Sequence, residues 1–318
     1  MQLARPHVHK LALVVATKDR PEDLRKMLSS VRDQTVRPDQ VVIVDASTES
    51  VPMVVQSFPE LHVAYQRHWP PSAAAQRNAG LAAVDTSMTL IGFMDDDITM
   101  EAGAVEAMLA FWHAASDRVG GAAFNCLNSE PPRMAWLKNG RAASSIGLYS
   151  EKIGGVAASG WQSVTGEVSK TMRVRWLPST ASVWRRDVFE QHAFDEYFNG
   201  YSYLEDLEFS YSVGKQRDLY VVAEAGFRHY PSKGGRISQF DFGKIEVRNR
   251  LYFVRKHRLS IARCYTGLAI RLLMTLGAAM AHLNRAHIQR AAGNFVQLIT
   301  PTSIVCDKRH RPDSSTTV

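Results

Sequence analysis

The first 125 residues alternate short apolar runs with helix-period segments, and several of the runs end on a polar cluster. This restricts the fold more than any other feature of the chain. Residues 11–16, 41–45, 61–65 and 88–94 read as strands, with 121–127 a later one. Pro21 opens a helix with Leu24, Met27, Leu28 and Val31 at helical spacing, Ser72 caps one through Ala83, and Thr99 caps one through Ala115. The alternation predicts an α/β fold around a mixed, mainly parallel sheet with flanking helices. Residues 128–175 lose the rhythm and read as loops. Periodicity returns with a strand near 180–184, a helix over about 205–216, strands at 219–223 and near Phe227, and a helix over 242–256.

Composition narrows the class. With 45% hydrophobic residues and a mean hydropathy of −0.19 the chain is neither disordered nor polytopic, since it has no series of uninterrupted apolar runs of roughly 20 residues. Its three cysteines, Cys126, Cys264 and Cys306, are far apart with no CxxC pair, which points to a reducing, cytoplasmic setting. Charge is uneven: residues 248–318 hold 12 Lys+Arg and 2 Asp+Glu, while the preceding 247 residues hold 26 and 29. The basic tail suggests an anionic surface as partner.

In open α/β sheets ligands bind beyond the carboxyl ends of the strands. Those ends here carry Thr17-Lys18-Asp19, Asp45-Ala46-Ser47 and Asp95-Asp96-Asp97. A lone acidic strand end is commonly a turn or cap, but three adjacent carboxylates repel one another unless a cation or donors compensate. A divalent ion, Mn²⁺ or Mg²⁺, suits such hard oxygen ligands.

At these residues the chain resembles inverting glycosyltransferase family 2, with its GT-A fold. The matching blocks are residues 14–20, Leu28-Ser29-Ser30-Val31 with Gln34-Thr35, and Val42-Ile43-Val44-Asp45-Ala46-Ser47. Ala75-Gln76-Arg77-Asn78-Ala79-Gly80, the triple aspartate and Leu204-Glu205-Asp206-Leu207-Glu208-Phe209 complete the set, so that the resemblance covers roughly residues 10–258. It implies that Thr17, Asp19 and Asp45 hold the nucleotide, with Asp45 on the base, and that Arg77 lies near nucleotide or phosphate. Asp95, Asp96 and Asp97 then bind ribose and metal, with the middle and last free to exchange roles. It further implies Asp206 as the general base, with Glu205 the runner-up, against an ordinary acidic first helical turn. Some members have a histidine in the region of His229, where a neutral imidazole could complete the metal shell; the alternative is a plain surface histidine. The following segment, with Lys233, Arg236 and the pair Gly234-Gly235, would close on the diphosphate. Trp136, Trp161 and Trp176 are either sugar platforms or core residues.

The expected partners are a UDP- or TDP-linked sugar donor and a saccharide or lipid-linked acceptor of cell-surface polysaccharide or glycolipid synthesis. Nucleic acid is not expected.

Residues 1–258 read as the catalytic domain and 259–318 as a basic amphipathic tail. In the tail, Ile261, Tyr265, Leu268, Leu272, Leu276, Met280 and Leu283 form an apolar stripe opposite Arg263, Arg271, Thr275, His282 and Arg285. Arg271 at mid-membrane would cost about 2.5–3.5 kcal/mol, roughly what the five Leu/Ile residues of 264–281 return at about 0.3–0.6 each. The helix is therefore expected to lie on the inner face of a membrane, or to pack on its own domain. Two rival functions remain: a haloacid-dehalogenase-type phosphatase using Asp95 and Asp97 of a DxDxT run, and a non-enzymatic polyanion-binding module.

Overall fold

The computed structural model describes residues 9–300 apart from 50, 130–140, 151, 233 and 235, so Lys233, Gly235, Trp136 and Cys306 lie outside the described residues. The chain builds β1 (Leu11–Thr17), α1 (Pro21–Arg32), β2 (Gln40–Asp45), α2 (Pro52–Gln56), β3 (Val63–Arg67), α3 (Ala73–Ala82) and β4 (Leu90–Asp95). Here β1 pairs in parallel with both β2 and β4, and β2 with β3. Strands β1, β2 and β4 are covered on both faces, which is why they appear in the sequence as unbroken apolar runs rather than alternating ones.

Beyond β4 the pairing changes. The next elements are β5 (Ile98–Met100), α4 (Ala104–Ala114), β6 (Val119–Cys126), α5 (Arg141–Ser145), β7 (Met172–Val174), β8 (Ala181–Arg185), α6 (Glu205–Val213) and β9 (Asp218–His229). The described strands form one sheet in the order β3-β2-β1-β4-β8-β6-β9-β5, with β7 also on β9. β8 runs antiparallel to both β4 and β6, and β9 is parallel to β6 but antiparallel to β5 and β7. The two strands expected at 219–223 and Phe227 are one strand, whose register against β6 shifts between Phe124 and Asn125. That bulge breaks the apolar alternation and hides its continuity.

Pro21 and Ser72 start their helices as expected, Ser72 Oγ accepting from the Ala75 N–H. Thr99 does not cap a helix. It lies inside β5, and α4 begins after Gly103, which sits at φ 75°. The tight aspartate turn sends the chain straight into a strand paired with the far end of β9, so Ile98 faces His229.

The C-terminal region forms α7 (Gln239–Lys256), α8 (Ile261–His282) and α9 (Arg285–Ile299). Helix α9 lies in backbone contact with α7. A Cβ on Gly243 would collide with the Arg290 carbonyl, and one on Gly293 with the Phe240 carbonyl. Glu246, 4% exposed, accepts from Arg290 at 2.8 Å, Arg271 at 3.3 Å and Asn294 at 3.1 Å. Arg271 and Thr275, on the side of α8 opposite the apolar stripe, thus face the protein. Thr275 is buried and Arg271 turns inward, while Tyr265, Leu276, Met280 and Leu283 of the expected stripe are exposed. Only Leu268 of that stripe is fully packed away, and Leu272 is intermediate. A buried glutamate on α7 dictates this, because its charge needs partners that only the tail helices supply.

Candidate active site

The carboxyl ends of β1 and β4, the start of α6 and the end of β9 enclose a cavity of about 670 Å³. Its wall includes Thr17, Arg77, Asp95, Asp96, Asp97, Glu205, Asp206, His229 and Arg236. Nine of the residues expected from the sequence to do chemistry therefore meet in one place.

The aspartates separate by environment. Asp96 is buried, accepting from Thr17 Oγ1 at 2.8 Å and from Arg20 Nη1 at 2.9 Å. Burial still pushes its pKa up to about 6, against the pull of those two donors. Asp97 faces His229 Nε2 at 3.1 Å and accepts from the Ser232 N–H at 3.0 Å. Burial would raise its pKa, but these contacts outweigh it and leave it below the ordinary range. For His229 the balance is mirrored: burial lowers its pKa, yet Asp97 leaves it raised. Asp95 is partly open and takes Arg77 Nη2 at 3.0 Å.

Asp95, Asp97 and His229 each offer a ligand atom, all within 4.8 Å of one another. Two carboxylate oxygens and an imidazole nitrogen form a donor set that can hold a divalent ion, and the mixed O/N character suits Mn²⁺.

Across the cavity, Leu204 adopts φ 75° while buried, a conformation a branched residue rarely holds. This sharp turn starts α6 and directs Glu205 and Asp206 at the cavity. Arg77 Nη1 reaches Glu205 at 2.8 Å while Nη2 holds Asp95, so one guanidinium joins the two sides. It is carried by α3, which can lie against β1 because Gly80 has no side chain; a Cβ there would collide with Val14. Burial raises the pKa of both Glu205 and Asp206, Glu205 also feeling the charge of Asp206.

Two expected nucleotide contacts do not line this cavity. Asp45 has no exposure, and it already accepts from the Ser47 N–H at 2.8 Å, the Val51 N–H at 3.2 Å and the Tyr65 hydroxyl at 2.7 Å. Its carboxylate fixes the turn after β2. Asp19, at φ 54°, accepts from the Thr48 N–H at 2.8 Å and lines a second cavity of about 460 Å³ with Pro21, Thr48, Glu49, Val51, Met53 and Val54. Arg77, expected near phosphate, has both terminal nitrogens on carboxylates. Lys233 lies outside the described residues, and Arg236 donates to the Ser232 carbonyl at 2.7 Å.

Sequence reasoning gave no role to Arg20, which ties Asp96, Asp97 and the Gly234 carbonyl together. It also missed Gln162, Tyr201 and Tyr203 on the cavity wall, which come from irregular segments with no periodic signal. Of the tryptophans, Trp176 is in the core and Trp161 is packed beneath Arg250 at 4.6 Å, so neither is a free platform.

Residues 12–153 match the model of the family described as Glycosyl transferase family 2. The chain is 34% identical over 100 residues to the uncharacterized glycosyltransferase YwdF of Bacillus subtilis (strain 168), covering 31% of this chain and 37% of that one. Its fold is similar to S. aureus TarS, with a TM-score of 0.52 and 16% identity over 82% of this chain and 42% of TarS. TarS 1-349 has been solved in complex with UDP and with UDP-GlcNAc. A further similar structure is the mannosyltransferase PcManGT from Pyrobaculum calidifontis in complex with GDP-Man and Mn²⁺, with a TM-score of 0.55 and 15% identity over 92% and 88% of the two chains. The chain thus spans less than half the length of YwdF and of full TarS. The resemblance read from the motifs holds over residues 12–153, and the fold is GT-A.

Proposed function

We propose that the chain is a metal-dependent, inverting glycosyltransferase that moves a sugar from a nucleotide donor to a saccharide or lipid-linked acceptor. One observation carries this: the Asp95, Asp97 and His229 set and the Glu205-Asp206 pair face one cavity and are joined through Arg77. When bound, Mn²⁺ or Mg²⁺ would supply Lewis-acid stabilisation of the departing diphosphate. Asp95, Asp97 and His229 would hold it. The chain does the rest. Asp206, half-buried at the first turn of α6, accepts the proton of the acceptor hydroxyl, the pKa that burial raises making its carboxylate a stronger base. Arg77 keeps Glu205 and Asp95 compatible with a charged base beside them, and Arg236 offers positive charge at the mouth.

For the donor we favour a pyrimidine nucleotide, UDP or TDP. TarS was solved with UDP and PcManGT with GDP-Man, so the fold alone accommodates both kinds of base. The second cavity beside Asp19 is the candidate base site, which would leave Asp45 to hold the turn that forms it.

Calorimetric titration of UDP, TDP and GDP, with and without Mn²⁺, tests the reading. Mn²⁺ should tighten UDP or TDP binding in the wild type and have no effect in Asp97→Ala. The Mn²⁺ effect should strengthen as pH rises, because His229 must shed its proton to serve as a ligand. Equal, metal-independent binding by both proteins would refute the assignment.

A further inference from the structure

Helices α8 and α9 bury Cys264, Leu268, Thr275, Ala279, Ala291 and Asn294 against the body of the protein. What they leave outside is apolar: Leu273 is 67% exposed, Met280 75%, Leu283 90%, Ile288 54%, Phe295 52% and Ile299 64%. An outer helix face normally carries charges of both signs, but neither α8 nor α9 has an Asp or Glu, and the sequence holds none from 247 to 306. Exposed arginines stand at the helix ends, at Arg258, Arg263 and Arg285.

We propose that this two-helix face docks on an anionic lipid bilayer and brings the cavity to a membrane-anchored acceptor. Charge decides between lipid and a second copy of the chain. A two-fold contact would set the same basic, acid-free patch against itself, arginine facing arginine, whereas an anionic headgroup layer complements it. The face lies on the membrane and does not cross it. Although residues 261–281 reach a mean hydropathy of 1.4, the inner side of α8 is committed to the protein through Arg271 on Glu246.

The two helices touch the wall of the cavity through its neighbours. A Cβ on Gly267 of α8 would come within 2.8 Å of the Trp161 ring, and the next residue, Gln162, lines the cavity. Arg290 of α9 stacks on Phe242 at 4.5 Å, and that ring meets Tyr201 at 5.7 Å and Tyr203 at 5.2 Å, both on the cavity wall. The claim about the acceptor rests on the glycosyltransferase reading. The docking claim does not.

The test is flotation of the full chain, without nucleotide, on vesicles of phosphatidylcholine alone or mixed with phosphatidylglycerol. The comparison is a variant carrying Leu273→Glu, Met280→Glu and Phe295→Glu, all at exposed positions. Wild type should float with the anionic vesicles, weaken in high salt without releasing fully, and bind neutral vesicles far less. The variant should bind anionic vesicles roughly tenfold or more weakly. Its unchanged thermal unfolding and Mn²⁺-dependent nucleotide binding would show that the fold persists. No flotation of wild type, or equal flotation of the variant, would overturn the proposal. So would a concentration-dependent dimer that the variant abolishes, since a second copy would then cover the face. Failed nucleotide binding with intact flotation would strike the enzymatic reading alone.

Discussion

Replacing Arg77 with methionine removes the only cation on Glu205 among the described ion pairs and one partner of Asp95. The arginine side chain is 6% exposed and that of Glu205 9%, so solvent cannot take over the lost contacts. Breaking a buried pair by deleting one member costs about 3–5 kcal/mol, because the remaining charge is stranded. For a protein of this size that corresponds to a fall in Tm of roughly 4–8 °C. The loss should depend on pH. Burial and the charge of Asp206 already hold Glu205 above the ordinary carboxylate range, and Arg77 pulls against them. Without Arg77 its folded pKa rises further. A carboxyl raised in the folded state takes up its proton more readily there than in the unfolded chain, so stability falls as pH rises from the unfolded value toward the folded one. Urea unfolding should therefore show the full loss at pH 8 and a much smaller one at pH 5, where Glu205 is neutral. Arg77→Lys, a single point charge unable to span both carboxylates, should fall between. A loss equal at both pH values, or below about 1 kcal/mol, would refute the bridging role.

Asp206→Asn should bind nucleotide within a few-fold of wild type in calorimetry while losing transfer by roughly 10²–10⁴ in rate. A near wild-type rate in that variant, with Glu205→Gln dead, would move the base to Glu205. Hydrogen exchange over residues 230–238 should slow when donor and Mn²⁺ bind, since Ser232 and Gly234 are tied to Asp97 and Arg20 at the cavity edge. Exchange that donor leaves unchanged would reject closure of this segment.

The N-terminal half was legible because β1, β2 and β4 are buried on both faces and their polar ends stand out against apolar runs. Asp95 and Asp97 stand at such an end, whereas Asp206, in the first turn of a helix, was singled out only through the family resemblance. Other parts carried no local signal. The role of Arg77 depends on a contact 128 positions away, and the turn at Leu204 uses a residue whose identity gives no hint of a left-handed backbone. The bonds that Asp45 makes were hidden too, because a carboxylate that pins a turn looks, in sequence, like one that faces a ligand. For the tail, the sequence leaves two placements of the helix open. Its amphipathic wheel is real, but Glu246, on a different helix, decides which side turns inward.

The glycine contact between α7 and α9 has a mechanical consequence. Where backbones touch at Gly243 and Gly293, no side chains lie between them that could rotate and absorb a displacement. A push on α9 is then a push on α7, and through Phe242 it arrives at Tyr201 and Tyr203. Adding a single methyl group at residue 243 or 293 would act as a wedge, prying the tail outward and shifting an aromatic wall that the altered residue does not itself line. Such a substitution should change how acceptors fit while leaving every residue of the cavity in its original chemical form.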